Sequence, residues 1–296
     1  MIKNKFLVLY NPASCNGKAL KILKKLEIDF NKMNFEYESI QTNYPGHMTD
    51  LCATNKFEKI IIIGGDGTLN EALNGIMINP INKQQKFGFL PGGTGNSFLH
   101  DLGGENYYNA INIIARGKTK KIDVLKLDFM SKVKYSLNIV GWGLVSDINI
   151  LSEKMRFLGS ARYNVASLYY IFNKKSRVAK IKINDQVRKD DFLFVLCMNT
   201  IHTGKGMKAA PHARLDDGLL DLIIVKYKIP TLSLISLLLK IFKGSHITSK
   251  YVEYKQVKKV ELHPINNDIL NIDGENKWNT PVIISVMPQE LCIYAL

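Results

Sequence analysis

The sequence predicts an α/β N-terminal domain followed by a mainly antiparallel β-sandwich C-terminal domain. Residues 59–77 and 87–98 each read as a short apolar strand, a glycine-rich turn and the start of a helix. Successive units of this kind build a parallel sheet with all their turns at one edge, the edge where open α/β sheets bind ligands. Near residues 118–125 the pattern changes: apolar residues begin to alternate and long helices become rare. At 296 residues the chain is long enough for two cores, and these readings place one domain at 1–122 and the other at 123–289.

Residues 6–10 form the first strand, and Asn11-Pro12 opens the loop after it. An amphipathic helical pattern covers 18–33, a second strand covers 35–40, Thr42 enters the next loop, and a helix begins in 47–50. Four consecutive isoleucines, Ile60 to Ile63, mark a strand buried on both faces. It runs into Gly64-Gly65-Asp66-Gly67-Thr68. Glycine tolerates φ > 0 and lets a ligand approach the backbone N–H groups, and a helix N-terminus favours negative charge. The turn reads as a phosphate cradle with a carboxylate inside it. Asp66 beside a phosphate needs a task, metal coordination or proton abstraction, unless it only caps the helix. The second turn, Gly92-Gly93-Thr94-Gly95-Asn96-Ser97, repeats the design. Its Gly92, Gly93 and Thr94 amides are expected to face a phosphate oxygen, with Asn96 or Ser97 as the cap. A helix over 106–116 follows.

In the second half, 135–140, 178–183, 192–198, 219–225, 256–262 and 282–287 are strand candidates. Two helical stretches interrupt them, one from 141 to 172 and one over 230–243. The second has leucine on most faces and is expected to be buried, with a membrane-contacting helix as the alternative; it is too short to span a bilayer. A net charge of +14 points to an anionic partner, nucleic acid or membrane, or else to a lysine-rich solvated surface. Four scattered cysteines argue against a zinc site and a disulfide framework, which fits a cytoplasmic chain. The first residues lead straight into a strand and lack the shape of a signal peptide.

Gly64-Gly65-Asp66-Gly67-Thr68 with Asn70-Glu71, then Leu90-Pro91-Gly92-Gly93-Thr94-Gly95-Asn96, resembles the nucleotide-binding core of the diacylglycerol kinase and sphingosine kinase family, itself distantly similar to NAD kinases. Neither turn is a P-loop: Gly17-Lys18 is followed by Ala19, with no glycine five residues before it. The resemblance implies transfer of the γ-phosphoryl of ATP, with Mg2+, to the hydroxyl of a diacylglycerol-, ceramide- or sphingoid-type lipid. It implies nucleotide contacts for Asn11, Thr42, Gly64, Gly65, Asp66, Gly67, Thr68, Glu71, Gly92, Gly93, Thr94, Asn96 and Gly274, and a final strand, 290–296, that returns to the first domain.

Ser152-Glu153-Lys154 followed by Arg156 and Arg162 is similar to the sphingosine and ceramide kinase branch, where two arginines reach the ATP phosphates. Guanidinium suits that task; an ion pair with Glu153 is the alternative. Asn149 departs from the aspartate that receives the sphingoid amine. An amide there leaves a buried ammonium without a counter-ion and favours a neutral lipid alcohol, unless Asp147 compensates. Leu168 and Tyr169 lie on the helix that the resemblance sets over the lipid pocket, with Lys174, Lys175 and Arg177 behind it to meet an anionic membrane surface. Asp216-Asp217-Gly218-Leu219 resembles the bacterial lipid kinases, a resemblance that implies a magnesium ligand at Asp217; a turn starting a strand is the alternative. Asp273-Gly274-Glu275 implies a base, or part of a magnesium network, facing the nucleotide, or else a hairpin turn. The catalytic acids are therefore Asp66, Asp273 and Glu275, and the metal candidates Asp217 and Asp66. The expected partners are a lipid substrate and a membrane surface on which the protein sits peripherally, without nucleic acid; a homodimer is left open. The rival readings are an NAD kinase-like enzyme and a non-catalytic lipid-binding module.

Overall fold

The computed structural model describes residues 1–14, 17–93, 95–204 and 206–296, with Arg156 and Ser160 described by their backbone only. The chain divides into two compact units, Met1–Val124 with Pro288–Leu296, and Leu125–Met287.

The first unit runs β1 (Ile2–Tyr10), α1 (Lys18–Lys32), β2 (Glu36–Gln41), α2 (His47–Thr54), β3 (Phe57–Gly64), α3 (Asp66–Ile76), β4 (Lys86–Pro91), α4 (Ser97–Asp101) and α5 (Tyr107–Ala115). Its strands are all parallel, in the order β2-β1-β3-β4. The four isoleucines of β3 are fully buried because neighbours flank β3 on both edges and helices cover the sheet. Helix α1 buries Ala19, Ile22, Leu23, Leu26 and Phe30, a helical spacing that seats one face on the sheet.

The chain leaves this unit along β5 (Thr119–Phe129). The second unit holds β6 (Lys132–Ser136), β7 (Ile139–Gly143), α6 (Leu144–Lys154), α7 (Arg162–Phe172), β8 (Arg177–Ile183), β9 (Gln186–Met198), the two-residue strands β10 (His202–Thr203) and β11 (Met207–Lys208), and β12 (Leu220–Lys226). Then follow α8 (Thr231–Ile241), β13 (Val252–Val257), β14 (Lys259–Pro264), β15 (Ile269–Ile272), β16 (Glu275–Asn279) and β17 (Val282–Tyr294). Here the pairings are antiparallel, and the 13-residue β9 serves two neighbourhoods. Residues Gln186–Phe192 pair with β8, while Phe192–Met198 lie between β7 and β12. Trp142, Phe192, Leu222 and Val260 are among the residues that fill the sandwich core.

The end of β17 returns the chain to the first unit, where Ile293 pairs in parallel with Phe87 of β4. Asp123, fully buried on β5, accepts the Gln289 N–H at 2.8 Å and fastens that return.

Five sequence expectations shift. Residues 135–140 are not one strand, because the chain turns at 137–138 between β6, paired with β5, and β7, paired with β9. Residues 256–262 are not one strand, because the chain breaks between Val257 and Lys259 to change partner from β12 to β8 and β17. The two strands expected at 282–287 and at the C-terminus are continuous as β17. Residues 141–143 belong to β7 rather than to a helix, paired with β9. Helix α8 is not buried: Leu234 and Leu237 pack inward, while Leu232 and Leu239 are 80% and 70% exposed. Leucine on every face conceals which stripe the fold uses, and only one stripe meets the cluster around Leu193, Val225 and Ile229.

Helices α2 and α3 cross closely at Gly75, where a Cβ would stand 2.2 Å from Thr49 O and 2.8 Å from Cys52 Cβ. Alanine would raise intrinsic helix propensity, yet the first clash is with backbone that cannot rotate away. Gly75→Ala is therefore expected to destabilise the protein by roughly 1–3 kcal/mol, read as a lower urea midpoint at unchanged slope.

Candidate active site

In the first unit, the loops after β1, β3 and β4 share the carboxyl edge of the sheet. Tyr10 is in register with Ile63, and Gly64 with Pro91, so the Asn11 loop and both glycine turns emerge side by side. The strand order turns back between β1 and β3, the kind of position where such sheets bind ligands.

The two glycine turns touch backbone to backbone. A Cβ on Gly93 would stand 2.4 Å from Gly65 Cα, one on Gly65 2.8 Å from Gly93 Cα, and one on Gly92 2.9 Å from Gly64 Cα. None of these four glycines has positive φ; Gly65, for instance, is extended at φ −97° and ψ −175°. The expectation of left-handed backbone is corrected: these positions need glycine because the turns meet. The expectation of open amides is corrected too. Gly92 N–H donates to Gly64 O at 2.8 Å, and Gly93 N–H to Asn96 Oδ1 at 3.0 Å. Thr94 lies outside the described residues.

Asp66 begins α3, and Gly65 at its N-cap gives no side-chain cap. The carboxylate crosses instead to the other turn, where Oδ1 accepts the N–H of Ser97, the first residue of α4, at 3.0 Å. Capping is thus part of its role, but for the neighbouring helix. A Cβ on Gly95 would stand 2.8 Å from Asp66 Oδ2, so Gly95 makes room for the acid. Asn96 does not cap α4; its amide both accepts from Gly93 N–H and donates to Gly93 O, bracing the second turn. At the start of α3, helix geometry leaves the Gly67 and Thr68 amides without intrahelical acceptors.

Asn11 shapes its own loop by accepting Ala13 N–H, and Thr42 N–H donates to Tyr10 O at the end of β1. Glu71 accepts Gly46 N–H and holds the loop before α2. Two residues that motif reading passed over reach the second turn: Ser14 Oγ donates to Gly92 O at 3.1 Å and Lys18 Nζ to Gly93 O at 3.5 Å. The Gly17-Lys18 pair was their only sequence signal, and its failure as a P-loop hid it.

In the second unit, Asp273-Gly274 forms the tip of the β15–β16 hairpin, with φ 49° and 90° at the two central residues. That is the primed turn expected of an Asp-Gly pair. Asp273 is buried, and four donors meet it: Ser136 Oγ, Asn138 N–H and Ile139 N–H on Oδ1, and Leu137 N–H on Oδ2, at 2.7 to 3.1 Å. A carboxylate so occupied holds the 136–139 turn, and its expected part as a base is corrected on that ground. Glu275 is partly exposed and pairs with Lys277 at 2.5 Å. Asn149 is buried and donates to Gly274 O at 2.7 Å.

Asp147 accepts two hydrogen bonds from Arg177 Nη2 at 2.8 Å, and Arg177 also reaches Asp268, which accepts the Trp142 indole N–H. Asp147 is thereby neutralised internally and does not compensate for Asn149. Arg177 is equally withdrawn from the surface role expected of it. Lys174 donates to Ile229 O and lies 5.3 Å from the Tyr227 ring centroid, leaving Lys175 as the exposed cation of that trio. Arg162 pairs with Glu153 at 3.1 Å, as its alternative reading had it. The side chain of Arg156 lies outside the described residues. Leu168 and Tyr169 on α7 are 56% and 52% exposed.

Among the described residues no group of three or more His, Cys, Asp or Glu side chains gathers as a metal cage. Asp217 is exposed, and its Oδ1 accepts Leu219 N–H in a local turn. A Mg2+ that keeps its waters and binds through phosphate oxygens needs only one or two protein carboxylates, which Asp66 fits.

The profile of the diacylglycerol kinase catalytic domain matches residues 5–127. The profile of the YegS C-terminal NAD kinase beta sandwich-like domain matches residues 138–295, more than half of the chain. The chain belongs to the diacylglycerol kinase family. A diacylglycerol kinase of Staphylococcus carnosus is 28% identical over 97% of this chain and 94% of the relative. Sphingosine kinase 1 of Arabidopsis thaliana is 29% identical, over 92% of this chain and 68% of the relative. A provisionally identified diacylglycerol kinase from Bacillus anthracis str. Sterne superposes with a TM-score of 0.80 at 27% identity, covering 99% of this chain and 97% of that one. An NAD kinase from Archaeoglobus fulgidus shares the fold, with a TM-score of 0.51 at 12% identity.

In this family member the role found for Asp273 is separable from catalysis. Asp273→Asn sets an amide N–H2 against either Leu137 N–H or the three donors on Oδ1, so a buried donor loses its acceptor. A stability loss of roughly 1–3 kcal/mol is expected in urea unfolding, beyond any loss of activity; an unchanged midpoint would return Asp273 to the catalytic acids.

Proposed function

We propose that the protein is a cytoplasmic, peripherally membrane-associated lipid kinase that transfers the γ-phosphoryl of ATP to the hydroxyl of a neutral lipid alcohol. The observation that carries the reading is Asp66, held across two fused glycine turns at the carboxyl edge of a parallel sheet, in a chain of the diacylglycerol kinase family. Phosphoryl transfer depends on positioning and charge neutralisation more than on covalent help from the protein.

In this reading the first-turn amides of α3 receive ATP phosphate oxygens, and Asn11 and Thr42 line the nucleotide from neighbouring loops. Lys18, whose Nζ donates to Gly93 O, offsets phosphate charge. Asp66 takes the proton from the lipid hydroxyl, its orientation set by the Ser97 N–H. Mg2+ arriving with ATP would be held by Asp66 and would neutralise phosphate charge. Glu275 stays beside Lys277 as a secondary acid, and Asp273 shapes the hairpin that presents it. Leu168, Tyr169 and Phe172 on the outer face of α7 meet the acyl chains.

The preference for a neutral acceptor follows from two pairings. Arg177 already neutralises Asp147, and the Asn149 amide is spent on Gly274 O, so neither offers a sphingoid ammonium a counter-charge. Labelled γ-phosphoryl transfer across diacylglycerol, monoacylglycerol, ceramide, sphingosine and NAD tests the whole reading. Label in neutral lipids is expected, and label confined to NAD, or absent throughout, overturns it.

Two substitutions test the residues. Asp66→Asn keeps an acceptor for Ser97 N–H, so the fold should hold while activity falls by ~10²–10⁴-fold, the range for loss of an acid–base group. Near-wild-type turnover would reduce Asp66 to a cap. Asn149→Asp places a carboxylate oxygen against Gly274 O, and kcat is expected to fall with no gain of sphingosine phosphorylation. Sphingosine labelling by this variant would mean that position 149 faces the substrate.

A further inference from the structure

The helix that composition made a core element is instead a surface helix with an apolar outer stripe. On α8, Leu232 is 80% exposed, Leu239 70% and, just past its end, Phe242 51%. They recur at intervals of seven and three, so they share one side of the helix, opposite Leu234 and Leu237, which pack inward. Lys228, Lys240 and Lys243 around the stripe are also exposed. No Asp or Glu occurs anywhere in residues 222–252. Helix α8 packs against α7, which lies in a second acid-free stretch, residues 154–184.

We propose that α8 is a membrane-docking helix: it lies in the plane of an anionic bilayer surface with Leu232, Leu239 and Phe242 immersed and Lys228, Lys240 and Lys243 at the lipid headgroups. Charge decides this occupant over the alternatives. A second copy docked through the same patch would set lysines against lysines in a self-complementary interface. Nucleic acid would satisfy the lysines but leave the leucines and Phe242 without a partner. A bilayer with anionic headgroups satisfies both, as amphipathic helices with a basic rim do. At about 1.5 Å per residue an 11-residue helix is far shorter than a bilayer core, so it lies on the membrane. The proposal rests on the lipid-kinase reading only for why a membrane is the relevant surface.

Its test measures binding without turnover. The full chain is sedimented with vesicles of phosphatidylcholine alone or with phosphatidylglycerol, at low and high salt, and compared with L232S/L239S/F242S and with K228E/K240E/K243E. Wild type is expected to prefer the anionic vesicles and to weaken with salt. Each triple variant is expected to bind them about tenfold more weakly or worse, since lysines near such a surface add attraction and immersed apolar groups add burial. Transfer to detergent-dispersed lipid should stay at the wild-type level in both. Only exposed side chains change in the lysine variant, so its result stands even where the apolar variant misfolds.

Equal vesicle binding by wild type and the lysine variant would overturn the proposal. So would a wild-type dimer in sedimentation equilibrium that the apolar variant abolishes, because the occupant would then be a second copy. Vesicle binding that both variants lose, in a protein without any transferase activity, would support α8 as the docking element while sinking the kinase reading.

Discussion

The close approach of two backbone turns constrains the first unit more than any side chain does. Gly65 and Gly93 leave no volume for a Cβ on either partner, and the Gly92 N–H closes the contact on Gly64 O. Because the turns are fused, α3 and α4 start beside one another. One carboxylate can then lie at the first residue of α3 and accept the first amide of α4. Negative charge is favoured at both helix starts, and the Ser97 N–H fixes the orientation of the carboxylate. Asn96 completes the arrangement by bonding both polar groups of Gly93, which braces the second turn from within.

The second unit makes a different use of its acids. Asp273 spends its oxygens on the 136–139 turn, Asp147 and Asp268 hold Arg177, and Glu261 meets Lys182 across the neighbouring strand and Lys259 on its own. Carboxylates matched in this way define local geometry and are withdrawn from ligands. The unit keeps apolar surface on α7 and α8, while Asp273, Asp147, Asp268 and Glu261 are each matched by donors or cations within it. The proposed preference for a neutral lipid headgroup rests on this pairing. The same distribution gives the net charge of +14 a location, because the acid-free stretches coincide with the two helices that expose leucine and phenylalanine.

Much of this was legible in the chain itself. The isoleucine strand, the paired glycine turns and the shift to alternating strands sufficed for the α/β domain followed by a β-sandwich, because periodicity and glycine placement are local properties. The turn motifs likewise singled out Asp66 and Asn96, and the Asp273-Gly274 pair announced its hairpin. What each of these residues bonds to was not legible. Asp66 and Ser97 are 31 positions apart, and Asp273 lies 134 or more from its donors. No local pattern carries partners at such separations. Motif reading could therefore treat Asp66, Asp273 and Glu275 as equivalent acids, where the fold makes one a fixed acceptor between helices, one a buried brace and one a partly exposed ion pair.

Helix α8 divides the two kinds of information most plainly. Its sequence determined that a helix would form and that it would be too short to cross a bilayer, since propensity and length are properties of the segment. Leucine on nearly every side left its orientation undetermined, and the apolar cluster around Val225 and Ile229 chose Leu234 and Leu237. The glycines at 65 and 93 followed the same division. The sequence determined that the backbone there would be bare, and the tertiary structure decided that the bareness serves another backbone, because only the packed sheet brings the ends of β3 and β4 into contact.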